Sequence, residues 1–118
     1  MLKVTSAPAE EPVSLAEAKA HLKVDYSADD DYITALITAA RQQAEEYTNL
    51  ALIDTTYEQA FDGFPATTRL NPYQSLVLWR SPLISVTSVV YTAEDGTSIT
   101  EDAANYKVDT YRRPPSVS

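Results

Sequence analysis

Three side chains with oxygen ligands occupy alternate positions near residue 25, which is how a calcium-binding loop begins. They are Asp25, Ser27 and Asp29. Such a loop also needs a glycine at its sixth position for the sharp turn and a bidentate glutamate at its twelfth. Those positions hold Asp30 and Leu36. The sequence therefore predicts no metal site at this turn, and helix capping together with a negative surface accounts for the same acids.

The other residue types that could catalyse a reaction lack the partners that catalysis requires. His21 is the only histidine, and its neighbours Lys19 and Lys23 offer neither further metal ligands nor an acid–base pair. The serines lie in no nucleophile elbow, and Gly63 and Gly96 alone cannot form a glycine-rich phosphate loop. Cysteine is absent, which excludes thiol chemistry and disulfides. The sequence thus predicts a protein that is not an enzyme and that has no catalytic residue, cofactor or metal, and it disfavours a small metal-dependent hydrolase.

Two short groups of aromatic and arginine residues are the candidates for binding a partner. Trp79 and Arg80 stand beside a serine–proline step, and Tyr111, Arg112 and Arg113 stand close to the end of the sequence. Tryptophan, tyrosine and arginine supply much of the binding energy at protein interfaces. We therefore expect these five residues to form a partner interface.

Two helices are predicted in the first half of the chain. Ser14 followed three residues later by Glu17 is a capping box, which predicts a short helix over about residues 15 to 22. Ser27 or Asp29 can cap a second helix that continues to about Thr48. Spacings of three and four predict its buried face. The residues of that face are Ile33, Leu36, Ile37, Ala40, Ala44 and Tyr47.

The second half changes to the two-residue period of strands. Extended segments are predicted at TTYEQAF, SLVLWR, ISVTSVVYT and NYKVDTY, and Asp95-Gly96 is a strong hairpin signal. The breakers between Gly63 and Pro72 predict a loop, and Phe61 and Tyr91 are expected in the core. Helices followed by antiparallel strands predict an α+β fold, with two N-terminal helices packed on a small antiparallel sheet or hairpin region.

Length and breakers predict how the chain is divided. With 118 residues, the chain has the size of one domain. We expect a flexible leader over residues 1–13, a single domain over residues 14–111 and a disordered or extended tail over residues 112–118. The tail is expected to bury little, because Pro114 and Pro115 favour a polyproline conformation.

Charge and hydropathy limit the classes of partner. The chain has 17 acidic residues against 9 lysines and arginines, a net charge of -8. Specific binding to nucleic acid draws on clustered positive charge, so we do not expect it here. A membrane-spanning helix needs roughly 20 apolar residues in succession, and the sequence contains no such run, so no membrane partner is expected.

The order of these motifs resembles a known family. SLAEAKAHLKVD before an acidic turn, the helix end EEYTN, DGFP, and SPLISVTSVVY before the Asp-Gly hairpin are similar to segments of the small head-tail connector proteins of tailed bacteriophages. The resemblance covers most of residues 13–111. It implies a connector-like domain in a structural protein of the virion neck, present in the host cytoplasm during assembly and without a catalytic role.

The resemblance also implies partners. A head-completion adaptor of this kind forms a ring, commonly of about a dozen copies, beneath the portal protein, where it extends the DNA channel and meets other neck or tail proteins. Family members usually continue past the last strand, so RRPPSVS is expected to be a short form of that region or to be ordered by a partner. The alternative function is an acidic protein-binding module or an inhibitor of a basic nucleic-acid enzyme, and the residues alone do not separate the two.

Overall fold

The structure, a computed structural model, describes residues 1–66, 69 and 74–118. Within them the chain contains two α-helices and small antiparallel sheets, which confirms the predicted α+β class. The strands are β1 (Leu2–Ser6), β2 (Thr56–Gln59), β3 (Leu76–Val77), β4 (Val90–Thr92), β5 (Ser98–Thr100), β6 (Val108–Asp109) and β7 (Ser116–Val117), and the helices are α1 (Leu15–Leu22) and α2 (Asp30–Thr48). The chain divides into two compact units, Met1–Gln59 and Ala60–Ser118.

Helix α1 begins and ends where its local sequence dictates. The Ser14 hydroxyl accepts a hydrogen bond from the backbone N–H of Glu17 at 3.1 Å, and the Glu17 carboxylate accepts one from the backbone N–H of Ser14 at 3.2 Å. This is the predicted capping box, which satisfies two backbone donors at the start of the helix. Lys23 ends the helix in a left-handed conformation.

Helix α2 begins after Asp29, one of the two predicted cap residues, but without the predicted side-chain bond among the residues described. Asp29 occupies the N-cap position, but no cap hydrogen bond to its side chain is found in the part of the chain that the structure describes. Its carboxylate accepts a hydrogen bond from the Tyr26 hydroxyl at 3.0 Å instead. The next residue, Asp30, pairs with Lys19 of α1 at 2.7 Å. Asp30 therefore joins the two helices, and the acids of this turn place negative charge at the start of α2.

The buried face of α2 is only partly the predicted one. Ile33 is buried as expected, and Ile37 and Ala44 are half-buried. The prediction was wrong for Leu36, Ala40 and Tyr47, which are exposed. The other buried residues of the helix are Arg41 and Glu45. Apolar spacing could not indicate this face, because it assumes that charged side chains point to water.

A strand lies within the predicted leader of residues 1–13. Strand β1 pairs antiparallel with β2, with Leu2 opposite Gln59 and Val4 opposite Tyr57. This part of the segment is a strand rather than a flexible leader. LKVTS begins with alternating apolar and polar residues, and its backbone forms hydrogen bonds with the edge of β2. Strand β2 itself lies within the predicted TTYEQAF segment.

In the second unit, the predicted Asp-Gly hairpin is confirmed. Strands β4 and β5 pair antiparallel, and the Ala93 carbonyl accepts a hydrogen bond from Gly96 at 2.9 Å. Gly96 has a φ of 86°, a conformation that glycine adopts without steric cost. The Asp95 carboxylate accepts bonds from the backbone N–H and the hydroxyl of Thr97, and these bonds lower the pKa of Asp95 below its ordinary value.

The other predicted strands are shorter than their sequence patterns. ISVTSVVYT contributes only Val90–Thr92, and SLVLWR contributes Leu76–Val77. Tyr91 is half-buried, and its ring packs edge to face against that of Phe64 with 5.9 Å between the ring centroids. Phe61, which was also expected in the core, is exposed. Of the loop predicted between residues 63 and 72, positions 67, 68 and 70–72 lie outside the described residues.

The predicted tail of residues 112–118 contributes a central strand. Strand β7 lies between β3 and β6 in a three-stranded antiparallel sheet. Pro115, Ser116 and Val117 are all buried, contrary to the expectation that this segment buries little. Proline is tolerated because it precedes the strand, where its carbonyl still accepts a hydrogen bond from the Leu78 N–H at 2.8 Å.

No helix among the described residues is long and apolar enough to cross a membrane.

Candidate partner-binding surfaces

The pairing of strands β3 and β7 determines where Trp79 and Arg80 lie. Leu76 lies opposite Val117 and Val77 opposite Ser116, and the Leu78 N–H continues the ladder to the Pro115 carbonyl. Trp79 and Arg80 follow directly. They therefore leave the sheet at the end where β7 begins.

The turn between β6 and β7 lies at the same end. Asp109 is opposite Ser116, so the residues between them form the connection from β6 into β7. The Asp109 carboxylate accepts hydrogen bonds from the backbone N–H groups of Tyr111 at 3.0 Å and Arg112 at 3.2 Å. An aspartate that bonds its own backbone two residues on fixes such a turn.

The structure thus brings all five predicted interface residues to one end of the β3–β7–β6 sheet, which we call the arginine end. It consists of Trp79, Arg80, Tyr111, Arg112 and Arg113. Tyr111 is 96% exposed and Trp79 is 51% exposed, while Arg112 and Arg113 are exposed and Arg80 is half-buried. Three of the nine lysines and arginines of this acidic chain lie here. Their role as an interface remains a prediction.

A second polar group, the Arg41 cluster, lies in the first unit, with Arg41 and Glu45 buried and Glu11 and Thr38 half-buried. It consists of Glu11, Thr38, Arg41 and Glu45. Arg41 donates from Nε to Glu11 Oε2 at 2.6 Å and from Nη1 to Glu45 Oε2 at 3.0 Å. The Thr38 hydroxyl donates to the other oxygen of Glu11 at 3.0 Å, and Glu45 Oε1 accepts the backbone N–H of Leu52 at 2.9 Å.

These bonds favour the charged forms of both Glu11 and Arg41. The hydrogen bond from Arg41 holds the pKa of Glu11 below its ordinary value, and the Thr38 hydroxyl acts in the same direction. The Glu11 carboxylate in turn raises the pKa of Arg41. Glu11 and Arg41 are therefore both charged at neutral pH. Through these bonds the cluster holds the segment before α1 and the chain after α2 against helix α2.

Sequence reasoning missed the Arg41 cluster. The spacing of four between Arg41 and Glu45 is visible in the sequence and suits a helix pair. Nothing local indicates Glu11, which lies 30 positions before Arg41. The burial of the pair follows from that distant contact.

A third surface, the α2 stripe, is uncharged and exposed. Its members share one face of the helix at spacings of three and four. They are Tyr32, Leu36, Ala40, Gln43 and Tyr47. Tyr32 is 66% exposed and Tyr47 is 90% exposed. Because Tyr32, Leu36 and Tyr47 are exposed, we consider the stripe a candidate surface for contact with another protein.

The residues considered for metal binding lie at the surface of the first unit. Asp25, Ser27 and Asp29 are exposed, and so is His21. Across residues 1–66, 69 and 74–118, no three histidine, cysteine, aspartate or glutamate side chains are grouped so that they could hold a metal ion.

Part of the chain matches a known protein family. Residues 12–76, more than half of the chain, match the family described as phage gp6-like head-tail connector protein. The chain belongs to this family, and it is accordingly a structural component of the phage neck that contacts other head or tail proteins. No curated protein and no solved structure matches the chain. The match includes α1, α2 and β2, whereas the arginine end lies beyond it.

Proposed function

We propose that this connector assembles as a ring beneath the portal protein, in the virion neck, and extends the channel through which DNA passes. The observation that carries the proposal is the family match over residues 12–76. Assembly would take place in the host cytoplasm before the neck is complete. Two unlike exposed surfaces support the ring, and the net charge of -8 supports the channel.

Ring assembly needs two different surfaces on each copy. A contact between unlike patches repeats from one copy to the next, and it closes into a ring when the rotation between copies allows it. The arginine end and the α2 stripe differ in charge and shape, since one carries exposed arginines and the other is an uncharged helix face. The chain therefore offers two unlike patches of the kind that a ring requires.

The net charge suits a channel for DNA. With a charge of -8, the chain repels a phosphate backbone rather than holding it. DNA that passes through a negatively charged lumen does not adhere to the wall. The lysines and arginines are a minority, and one third of them lie at the arginine end, which we propose as a protein-binding surface.

Negative-stain electron microscopy of the chain mixed with its cognate portal tests the proposal. We expect an additional ring of density at the narrow end of the portal, with averaged images distinguishable from those of portal alone. An unrelated acidic protein of similar mass serves as the control for non-specific adhesion. Portal particles that look the same with and without the chain would contradict the proposed role.

The net charge of -8 also supports a second candidate, an acidic protein that inhibits a basic nucleic-acid enzyme. Such an inhibitor would compete with DNA for a positively charged groove. Titration of the chain into a nuclease assay, with and without added salt, separates the two functions. A connector leaves nuclease activity unchanged, whereas an inhibitor reduces it, and the reduction weakens as salt increases.

A further inference from the structure

We propose that strand β1 (Leu2–Ser6) is an exchangeable arm, which pairs with β2 of its own chain in a free copy and with β2 of the adjacent copy in the ring. The proposal rests on the proposed ring and names one contact that joins its subunits. Both strands belong to the first unit, and the pairing between them is the one that the structure contains.

The pairing of β1 with β2 is complementary in both backbone and side chains. The two strands run antiparallel with Lys3 opposite Glu58, and both of these side chains are exposed. Opposite charges that face each other across two strands stabilise the pair. The Thr5 hydroxyl also donates a hydrogen bond to the Thr56 carbonyl at 3.3 Å. Every copy carries the same two strands, so β1 of one copy can form the same bonds with β2 of another.

Strand β1 contacts only one of the helices and strands that the structure describes, and that one is β2. Four of the five residues of β1 are exposed, and Leu2 is half-buried. Release of β1 therefore uncovers little apolar surface, and the hydrogen bonds lost from one β2 are regained on another. Exchange of an identical element between copies is a low-cost route to an oligomer for this reason.

The linker between β1 and the helix pair allows such an exchange. It consists of residues 7–10, which form no hydrogen bond with any part of the chain that the structure describes. Pro8 restricts the residue before it to extended backbone, the form that a strand reaching away from its own copy requires. Directly after the linker, Glu11 is bonded to Arg41 at 2.6 Å and stays with its own helix. The hinge therefore lies between Ser6 and Glu11.

The length of the linker limits the exchange to neighbouring copies. The chain from Ser6 to Glu11 spans at most roughly 17 Å when it is extended. A domain of about 100 residues has a radius of gyration of about 13 Å, so the arm cannot reach past the adjacent copy. Each copy therefore gives β1 to one neighbour and receives β1 from the other. Such a head-to-tail contact can close into a ring, and every β2 in that ring is paired.

Engineered cysteines test the exchange, because the chain contains none of its own. One variant carries Lys3→Cys and another carries Glu58→Cys, at directly paired positions. Paired Cα atoms in antiparallel strands lie about 4.5–5.5 Å apart, which a disulfide can bridge. The reduced variants are mixed in equal amounts, assembled on the cognate portal, oxidised and analysed on non-reducing gels. Because disulfide geometry is specific, we expect roughly tenfold more two-chain product than from either variant alone.

Two controls accompany this mixture. Lys3→Cys mixed with Gln42→Cys, an exposed position on α2, reports random collisions and should give only background. The double variant Lys3→Cys with Glu58→Cys, kept dilute and without portal, should form its disulfide within one chain, which verifies that β1 still pairs with β2. If that double variant does not close, the experiment is repeated with Val4→Cys and Tyr57→Cys, which are also paired in register.

Negative-stain images of the same samples separate the exchange from the ring. A ring on the portal together with two-chain product above the collision control supports the exchange. A ring whose cysteines link only at the background level shows that β1 stays on its own β2, so the exchange is wrong and the ring stands. If no ring forms on the portal, the ring and the exchange within it are both overturned.

Discussion

The Nε atom of Arg41 lies 2.6 Å from Oε2 of Glu11, so a residue that precedes α1 is bonded to the middle of α2. The same guanidinium binds Glu45, which in turn accepts the N–H of Leu52. One side chain therefore holds together the segments on either side of the helix pair; Arg41, Glu45 and Leu52 lie within the family match, and Glu11 lies one residue before it.

Replacement of Arg41 by alanine should strongly destabilise the first unit. The change leaves the buried Glu45 carboxylate and the Glu11 carboxylate without their cation, and removal of one partner from a buried pair costs about 3–5 kcal/mol. Urea unfolding followed by helical circular dichroism measures the loss. Gln42→Ala, at an exposed position on the same helix, is the matched control and should change stability by less than about 0.5 kcal/mol. Equal stabilities for the two variants would contradict the role of the cluster.

The Arg41 cluster should also make stability depend on pH. Because the pKa of Glu11 is lower in the folded protein than its ordinary value of 4.5, the carboxylate stabilises the fold above pH 4.5. That contribution is lost as the pH falls through the lowered pKa. Thermal unfolding of wild type and Glu11→Gln between neutral and acidic pH isolates it, since the other carboxylates titrate in both proteins. The gap between the two melting temperatures should narrow in acid, and a constant gap would refute this assignment.

Two apolar residues on α2 should respond very differently to truncation. Ile33 is 6% exposed, so Ile33→Ala should cost about 2–5 kcal/mol. Leu36 is 48% exposed, and Leu36→Ala should cost less than about 1 kcal/mol. Denaturant unfolding of both variants compares them directly. A larger loss for Leu36→Ala would show that the helix buries the face predicted from apolar spacing.

The second unit should depend on its last strand. Val117 is 6% exposed in the central strand of the sheet, so Val117→Asp places a charge in a buried site and should cost about 3 kcal/mol or more. Val77→Asp, on the neighbouring strand, is the control because Val77 is 45% exposed. Limited trypsin digestion followed by mass spectrometry should show faster cleavage after Arg112 in Val117→Asp alone, since the Arg113–Pro114 bond resists trypsin. Similar cleavage in both variants would mean that the burial of β7 contributes little to the stability of the second unit.

Features fixed by neighbouring residues could be predicted from the sequence. The capping box of Ser14 and Glu17 sets the start of α1, and Asp95-Gly96 sets the turn between β4 and β5. In both cases the hydrogen bonds that define the element lie within a few residues, so the pattern carries the information. The α+β class follows from the same local signals.

Features that depend on distant contacts could not be predicted. Arg41 and Glu45 are buried because Glu11 meets them from 30 positions away, whereas periodicity placed Leu36 and Tyr47 on the buried face. Likewise, β7 consists of only two residues, and it is buried because it pairs with strands on both sides.

The candidate interface residues illustrate both cases. Their types pointed to Trp79, Arg80, Tyr111, Arg112 and Arg113 without any knowledge of the fold. Only the register of β3, β7 and β6 shows that the two groups lie at the same end of one sheet.

Cryo-electron microscopy of the chain bound to its cognate portal would show directly whether the chain forms a ring there. We expect a symmetric ring of chains attached to the narrow end of the portal and continuous with its channel. A portal that stays bare at high concentrations of folded chain, or that binds scattered single copies with no ring, would contradict it.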